Sequence, residues 1–227
     1  MPLAIDPDEV LRFQGYKKSV DRPGPEVLAL FEEALALGRT LIAPRAVVRW
    51  LPVTRTGADT VEAGGVALTI PSVERLWGSI EWLAAAVCTI GDELERRAAE
   101  LWGARELPLA AMLDSVGSGA VESLAEYVND LFCQEAIPRG LAVTNRMSPG
   151  YGHWDVTQQR DLFRICPADA IGVTLNDACF MSPVKSISLL AAAGPHARVD
   201  HYFSQCARCW MRDCSYRRTP APKTVHR

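Results

Sequence analysis

The stretch from Leu107 to Cys133 constrains this chain more than any other. After Pro108 it contains no further proline, and Leu113, Val116, Val121, Leu124 and Val128 recur at helical spacing. A helix of that length cannot stand alone in water; its apolar stripe has to be covered by other elements. The candidate covers are of two kinds. Pro7–Arg12 and Pro25–Leu37 read as helices with proline in the first turn, the second ended by Gly38. Ala46–Pro52 and Thr60–Ile70 are rich in β-branched residues and read as strands, with Gly64-Gly65 as a hairpin turn signal between them, and Ile171–Leu175 and Ser186–Ala192 read as two further strands.

The remaining segments fill in this pattern. Ser72 opens a segment in which Leu76, Ile80 and Leu83 have helical spacing. Ala84–Leu94 passes from an apolar strand-like run through Gly91 into an acidic helix start, and Val156–Arg164 reads as a short polar helix. The result is an α+β fold: one domain with a mainly antiparallel sheet and several helices, over residues 1–195. Residues 196–227 form a Cys-rich C-terminal appendage.

Composition excludes several classes. With 48% apolar and 22% charged residues the chain is an ordinary globular one, and a net charge of −3 gives no basic surplus for nucleic acid. No apolar run is long enough to span a membrane, and the N-terminal MPLAIDPDEV carries no secretory signal, so cytoplasm is the expected compartment. There is no Gly-x-Ser-x-Gly, Gly-x4-Gly-Lys-Ser/Thr or His-Glu-x-x-His. Gly117-Ser118-Gly119 inside the long helical stretch reads as a close-packing patch, not a phosphate cradle.

Two features carry chemistry. Cys206, Cys209 and Cys214 follow the pattern Cys-x2-Cys-x4-Cys, which can hold zinc or the corner of an iron–sulfur cluster. Three thiolates underfill a closed zinc site, so iron–sulfur is slightly favoured, with His201, Cys166 or Cys179 as possible further ligands. The other feature is RMSPGYGHW at 146–154. Arg146 can grip a carboxylate or phosphate, Gly150 and Gly152 let backbone approach a ligand, and Tyr151 and Trp154 offer flat faces. A plain loop with Trp154 in the core and Arg146 in solvent would use the same residues.

The Arg-x-x-x-Gly-Tyr string from Arg146 to Tyr151 resembles the S-adenosylmethionine signature of the activation domain of cobalamin-dependent methionine synthase. VCTIGDELE (87–95), DSVGSGAVESLAEYV (114–128) and LNDACFMSPVKSIS (175–188) are similar to other segments of that family, in the same order. The chain departs from it at Gly152-His153-Trp154, where the large enzyme has Ala-Cys-Pro, and lacks a corrinoid-binding Asp-x-His-x-x-Gly.

The resemblance implies a stand-alone reactivation subunit that binds S-adenosylmethionine and supports reductive remethylation of a corrinoid (cobalamin) held by a partner, a corrinoid protein or split methionine synthase. Arg146 would then take the methionine carboxylate, and backbone at Pro149, Gly150 and Gly152 would hold adenine and ribose. Tyr151 would line the sulfonium or corrin face. Glu122, Asp114 or, less directly, Glu126 would pair with the amino group. The electron would come from a donor such as flavodoxin or ferredoxin, or through a cluster on the three cysteines. The alternatives are a non-catalytic corrinoid-protein partner or assembly factor with a structural metal, and a small iron–sulfur redox protein.

Overall fold

The computed structural model describes residues 3–17 and 21–200. In chain order the helices and strands are α1 (Pro7–Phe13), α2 (Pro25–Leu41), β1 (Arg45–Thr56), β2 (Thr60–Ala63), β3 (Val66–Thr69), α3 (Val73–Trp77), β4 (Gly78–Ser79) and β5 (Trp82–Thr89). They continue with α4 (Glu93–Gly103), α5 (Leu107–Ala136), β6 (Ala142–Val143), α6 (Gln159–Ile165), β7 (Thr174–Leu175), β8 (Met181–Ser182), β9 (Ser186–Gly194) and β10 (His196–Ala197). The architecture is α+β. Its contacts divide the chain into two compact units, each assembled from three segments.

The first unit comprises Met1–Val48, Ala86–Asp130 and Cys166–Ser188. Its axis is α5, a 30-residue helix about 45 Å long at ~1.5 Å per residue. Leu113, Val116, Val121, Leu124 and Val128 are all buried, so the apolar stripe read from the sequence is the face that packs. Glycines set how closely neighbours approach it. A Cβ on Gly117 would stand 2.6 Å from Leu94 Cδ2 and 3.3 Å from Lys185 Cε, and one on Gly119 would stand 2.7 Å from Val10 Cγ2. The Gly-Ser-Gly patch is therefore a packing surface.

Gly38 belongs to the same category. The expected stop at Gly38 does not occur: α2 runs on to Leu41, and Gly38 is buried with its Cα turned to Val116, whose Cγ1 would lie 2.7 Å from an added Cβ. Proximity to α5 explains this glycine, not chain termination.

The second unit comprises Arg49–Ala85, Leu131–Ile165 and Leu189–Arg227. A six-stranded sheet runs through it in the order β3-β2-β1-β5-β9-β6. The β1/β2, β2/β3 and β6/β9 ladders are antiparallel. Within β5 and β9, Leu83–Ala85 and Leu189–Ala193 are fully buried, which central strands covered on both faces require. Trp50 and Phe132 meet edge to face, centroids 5.6 Å apart.

Three local expectations shift. The Gly64-Gly65 turn joins β2 to β3 inside the 60–70 stretch, with both glycines at positive φ. The segment after Ser72 is helical only to Trp77, because Gly78 at φ +69° turns the chain into β4 and Leu83 enters β5. In the first unit, Ile171 closes a 3-10 turn, Gly172 reverses the chain at φ +75°, and only Thr174–Leu175 pairs, with Met181–Ser182.

Candidate ligand-binding site

The nine residues at 146–154 fold as a closed loop in the second unit. Met147 bridges to Leu190 through a reciprocal backbone pair of 2.7 and 2.8 Å, which anchors the loop to the central sheet. Ser148 and Pro149 are buried behind it. The turn then closes on itself: Tyr151 N–H donates to the Ser148 carbonyl (3.3 Å), Gly150 N–H to the Trp154 carbonyl (2.9 Å) and Trp154 N–H to the Tyr151 carbonyl (3.1 Å). Such a path needs left-handed backbone twice, which Gly150 (φ +90°) and Gly152 (φ +65°) supply without a Cβ penalty. The rings flanking Gly152 part company: Tyr151 is 55% exposed and Trp154 only 2%.

The exit of the loop is pinned as well. Asp155 caps the following 3-10 turn, accepting from Thr157 N (2.8 Å) and Thr157 Oγ1 (2.7 Å). The Thr157 hydroxyl first, and its backbone N–H second, hold the Asp155 carboxyl below the usual aspartate pKa. One residue further, Gln158 Oε1 accepts from Thr69 N at 2.6 Å on edge strand β3.

Beside this loop lies a cavity of about 840 Å³, within the range of small-molecule sites. The loop gives one wall through Ser148, Tyr151, Gly152, His153 and Trp154, with Asn145 and Met147 at its base. The facing wall comes from the α3 region (Pro71, Ser72, Arg75, Leu76, Trp77) and from Arg198, Val199 and Asp200. These last residues are held in place: Arg198 N–H donates to the Trp77 carbonyl (2.8 Å), and Arg198 Nη1 to the Arg75 carbonyl (2.7 Å). The cavity thus combines aromatic surface with two guanidinium groups and one carboxylate.

The residues singled out in the sequence are distributed as follows. Tyr151 and Gly152 line the cavity. Arg146 is half-buried and engaged with a partner, between the lining residues Asn145 and Met147. Pro149 is buried and Gly150 exposed at the turn. Asp114, Glu122 and Glu126 lie on α5 in the first unit; Asp114 is ion-paired with Lys185, and both glutamates have partners. Cys166 and Cys179 are buried in that unit, and the Cys166 thiol donates to the Val47 carbonyl at 3.7 Å.

Cys206, Cys209, Cys214 and His201 fall outside the described residues. Among the described residues no group of three or more His, Cys, Asp or Glu side chains is placed to hold a metal, and no helix is long and apolar enough to cross a membrane.

Sequence reasoning missed Asn145, Arg75 and Arg198. Arg75 lies about 70 residues before the loop and Arg198 more than 40 after it. No spacing rule links them; the sheet brings them together.

The cavity's lining includes the exposed ring of Tyr151 and the buried residue Trp154, whose Nε1 has no hydrogen-bond partner among the described residues.

Comparison with known proteins adds independent findings. The family model described as vitamin B12 dependent methionine synthase, activation domain, matches residues 76–217, well over half of the chain. Among solved structures, the crystal structure of the MetH reactivation domain bound to AdoHcy aligns with a TM-score of 0.63 at 17% identity. That alignment covers 88% of this chain and 77% of the other, a likeness of fold. No curated protein matches the sequence.

Proposed function

This chain belongs to the family of vitamin B12-dependent methionine synthase activation domains, and from that premise we propose that it binds S-adenosylmethionine at the 146–154 loop. The supporting observation is the loop itself: the Arg-x-x-x-Gly-Tyr string folds around two left-handed glycines and presents Tyr151 on the wall of a ligand-sized cavity. In this reading Arg146 takes the carboxylate of the methionine moiety, a bidentate geometry that guanidinium suits better than any other side chain. Backbone from Pro149 to Gly152 holds adenine and ribose, because glycine lets main-chain N–H and C=O groups come within hydrogen-bond reach. Tyr151 faces the sulfonium or the corrin. The related solved structure was obtained with AdoHcy, the demethylated form of the same ligand, which supports this class of occupant.

The biochemical role is reactivation. Bound S-adenosylmethionine supplies the methyl group that a reduced corrinoid on a separate protein receives. The chain's own part is to position the ligand and to meet a corrinoid protein or split methionine synthase, with a flavodoxin- or ferredoxin-like donor providing the electron. Cys206, Cys209 and Cys214 would hold an iron–sulfur cluster or zinc in the segment that follows Asp200. Cytoplasm is the compartment in which such thiols stay reduced.

The test is calorimetric titration of anaerobically purified protein with S-adenosylmethionine, beside Arg146→Ala. Micromolar binding that the substitution abolishes is the expected result. No binding by the wild-type chain would overturn the reading and leave the fold without this function.

A further inference from the structure

The cavity wall that faces the 146–154 loop is basic, in a chain whose net charge is −3. It carries Arg75 and Arg198 against a single acid, Asp200, and both arginines are exposed where they line it. Asp200 has partners of its own. Among the described residues no carboxylate forms an ion pair with either guanidinium.

The two arginines are fastened at one place. Arg198 N–H donates to the Trp77 carbonyl at 2.8 Å and Arg198 Nη1 to the Arg75 carbonyl at 2.7 Å, which sets the Arg198 head beside the Arg75 backbone. The Arg198 stem lies on Gly78: a Cβ there would stand 3.1 Å from Arg198 Cγ and 3.5 Å from Nε. Capping the last turn of α3 is one use for this side chain, and it takes one of five guanidinium N–H donors. The edge formed by Nε and Nη2 is left over, and such an edge grips an oxyanion through two parallel bonds. Arg75 keeps its whole guanidinium, since no described group bonds to it. One fork satisfies a carboxylate. Two guanidiniums on one wall suit a group with two charges and three acceptor oxygens, which is a phosphate.

We propose that Arg75 and Arg198 form a phosphate-binding subsite on this wall, taking a phosphate dianion, free or as a monoester. The subsite does not rest on the S-adenosylmethionine reading, in which the ligand's one carboxylate goes to Arg146 and leaves this pair for a different anion.

The experiment is titration of the full chain, by calorimetry and ³¹P NMR, with inorganic phosphate, methyl phosphate, dimethyl phosphate and acetate at constant ionic strength. At about pH 8 the first two are dianions and the last two monoanions. Inorganic phosphate should bind saturably. Arg75→Gln and Arg198→Gln should each weaken it roughly fivefold to tenfold, the worth of a charge-assisted bond discounted for exposure. The two monoanions should bind more weakly by a similar factor. Methyl phosphate bound as well as inorganic phosphate assigns the subsite to esters; methyl phosphate refused assigns it to the free ion.

Arg198→Gln also removes the bond to the Arg75 carbonyl, whereas the Arg75 guanidinium holds nothing among the described residues, so Arg75→Gln stays readable where the other variant loosens the wall. In the wild-type chain, two arginine Nε–H resonances should move as phosphate is added, and Arg75→Gln should delete one of them. Phosphate bound equally by wild type and both variants would overturn the proposal. Acetate bound as tightly as phosphate would do the same, because it marks a carboxylate site, and so would a wild-type chain that binds no phosphate.

Discussion

Asn145 and Asp200 hold one another by two reciprocal hydrogen bonds across 55 residues of sequence: Asn145 Nδ2–H donates to the Asp200 carbonyl at 3.0 Å, and Asp200 N–H donates to Asn145 Oδ1 at 2.9 Å. The carboxamide imitates a strand, offering one donor and one acceptor to a passing backbone. This clamp joins the base of the loop to the opposite wall of the cavity. Asn145→Ala should free the 198–200 segment while leaving the sheet intact. Each exposed bond is worth about 0.5–1 kcal/mol, so losing both should accelerate amide exchange at Asp200 roughly fivefold to thirtyfold. Unchanged exchange, measured by mass spectrometry or NMR, would show that Arg198 alone holds the wall.

The two loop glycines should respond differently to substitution. Gly150 sits at φ +90°, and an added Cβ would meet only Val156 Cγ2 at 3.6 Å, an ordinary contact. The cost of Gly150→Ala is therefore backbone strain, about 1–2 kcal/mol. Gly152 at φ +65° has open space around it, and asparagine tolerates that region. Denaturant unfolding should rank Gly152→Asn close to wild type and Gly150→Ala clearly below it.

Lys185 illustrates how the first unit manages a buried charge. Its side chain is 10% exposed, and its ammonium reaches Asp114 Oδ1 at 2.8 Å and Ser118 Oγ at 2.9 Å. Asp114 is half exposed, so water shares its charge. Asp114→Ala leaves the ammonium with the hydroxyl alone and should cost about 1 kcal/mol or somewhat more. Lys185→Met keeps the stem that packs against Gly117 and should be less costly, because the partner it leaves behind, Asp114, is half exposed and stays hydrated. Urea midpoints of the two variants decide the order; the reverse order would mean the pair itself stabilises the unit.

Gly117→Ala sets two known effects against each other. Alanine gains roughly 1 kcal/mol of helix propensity over glycine. The new methyl, however, would stand 2.6 Å from Leu94 Cδ2, and Leu94 is fully buried with little room to yield. Overpacking at about 1–3 kcal/mol should win. A lower thermal midpoint is expected, and a raised one would show that the Leu94 side chain re-packs freely.

Asp155 predicts a pH effect at the exit of the loop. Its folded carboxyl is lowered below the ordinary 3.8 by the Thr157 hydroxyl and N–H, so the cap stabilises the turn above the unfolded-state value. The stabilisation is lost as pH falls through the lowered folded value, below about 4. Carboxyl ¹³C shifts followed by NMR should place Asp155 below free aspartate in wild type and closer to it in Thr157→Val, which loses the hydroxyl bond and keeps the backbone one.

Much of the site was legible one residue at a time. The Pro-Gly turn, the glycine freedom at 150 and 152 and the exposed Tyr151 follow from local chemistry. Trp154 is buried, as the plainest reading of a loop tryptophan has it, yet it also lines the cavity. The facing wall was not legible, because Arg75 and Arg198 are ordinary exposed arginines in the sequence and acquire meaning only when β4 pairs with β10. Gly38 misled for a related reason. A glycine after a helical run usually marks an end, and only the approach of Val116 shows that this one marks a contact.

The sequence by itself determined the long helix and its buried stripe, the α+β class and the glycine-rich turn at 146–154, since each depends on residues within a few positions of one another. Tertiary structure alone decided where helices stop, which glycines serve packing, and what faces Tyr151 and Trp154 across the cavity. Those outcomes depend on contacts between segments tens of residues apart, and periodicity along a chain holds no record of which segment will arrive opposite which.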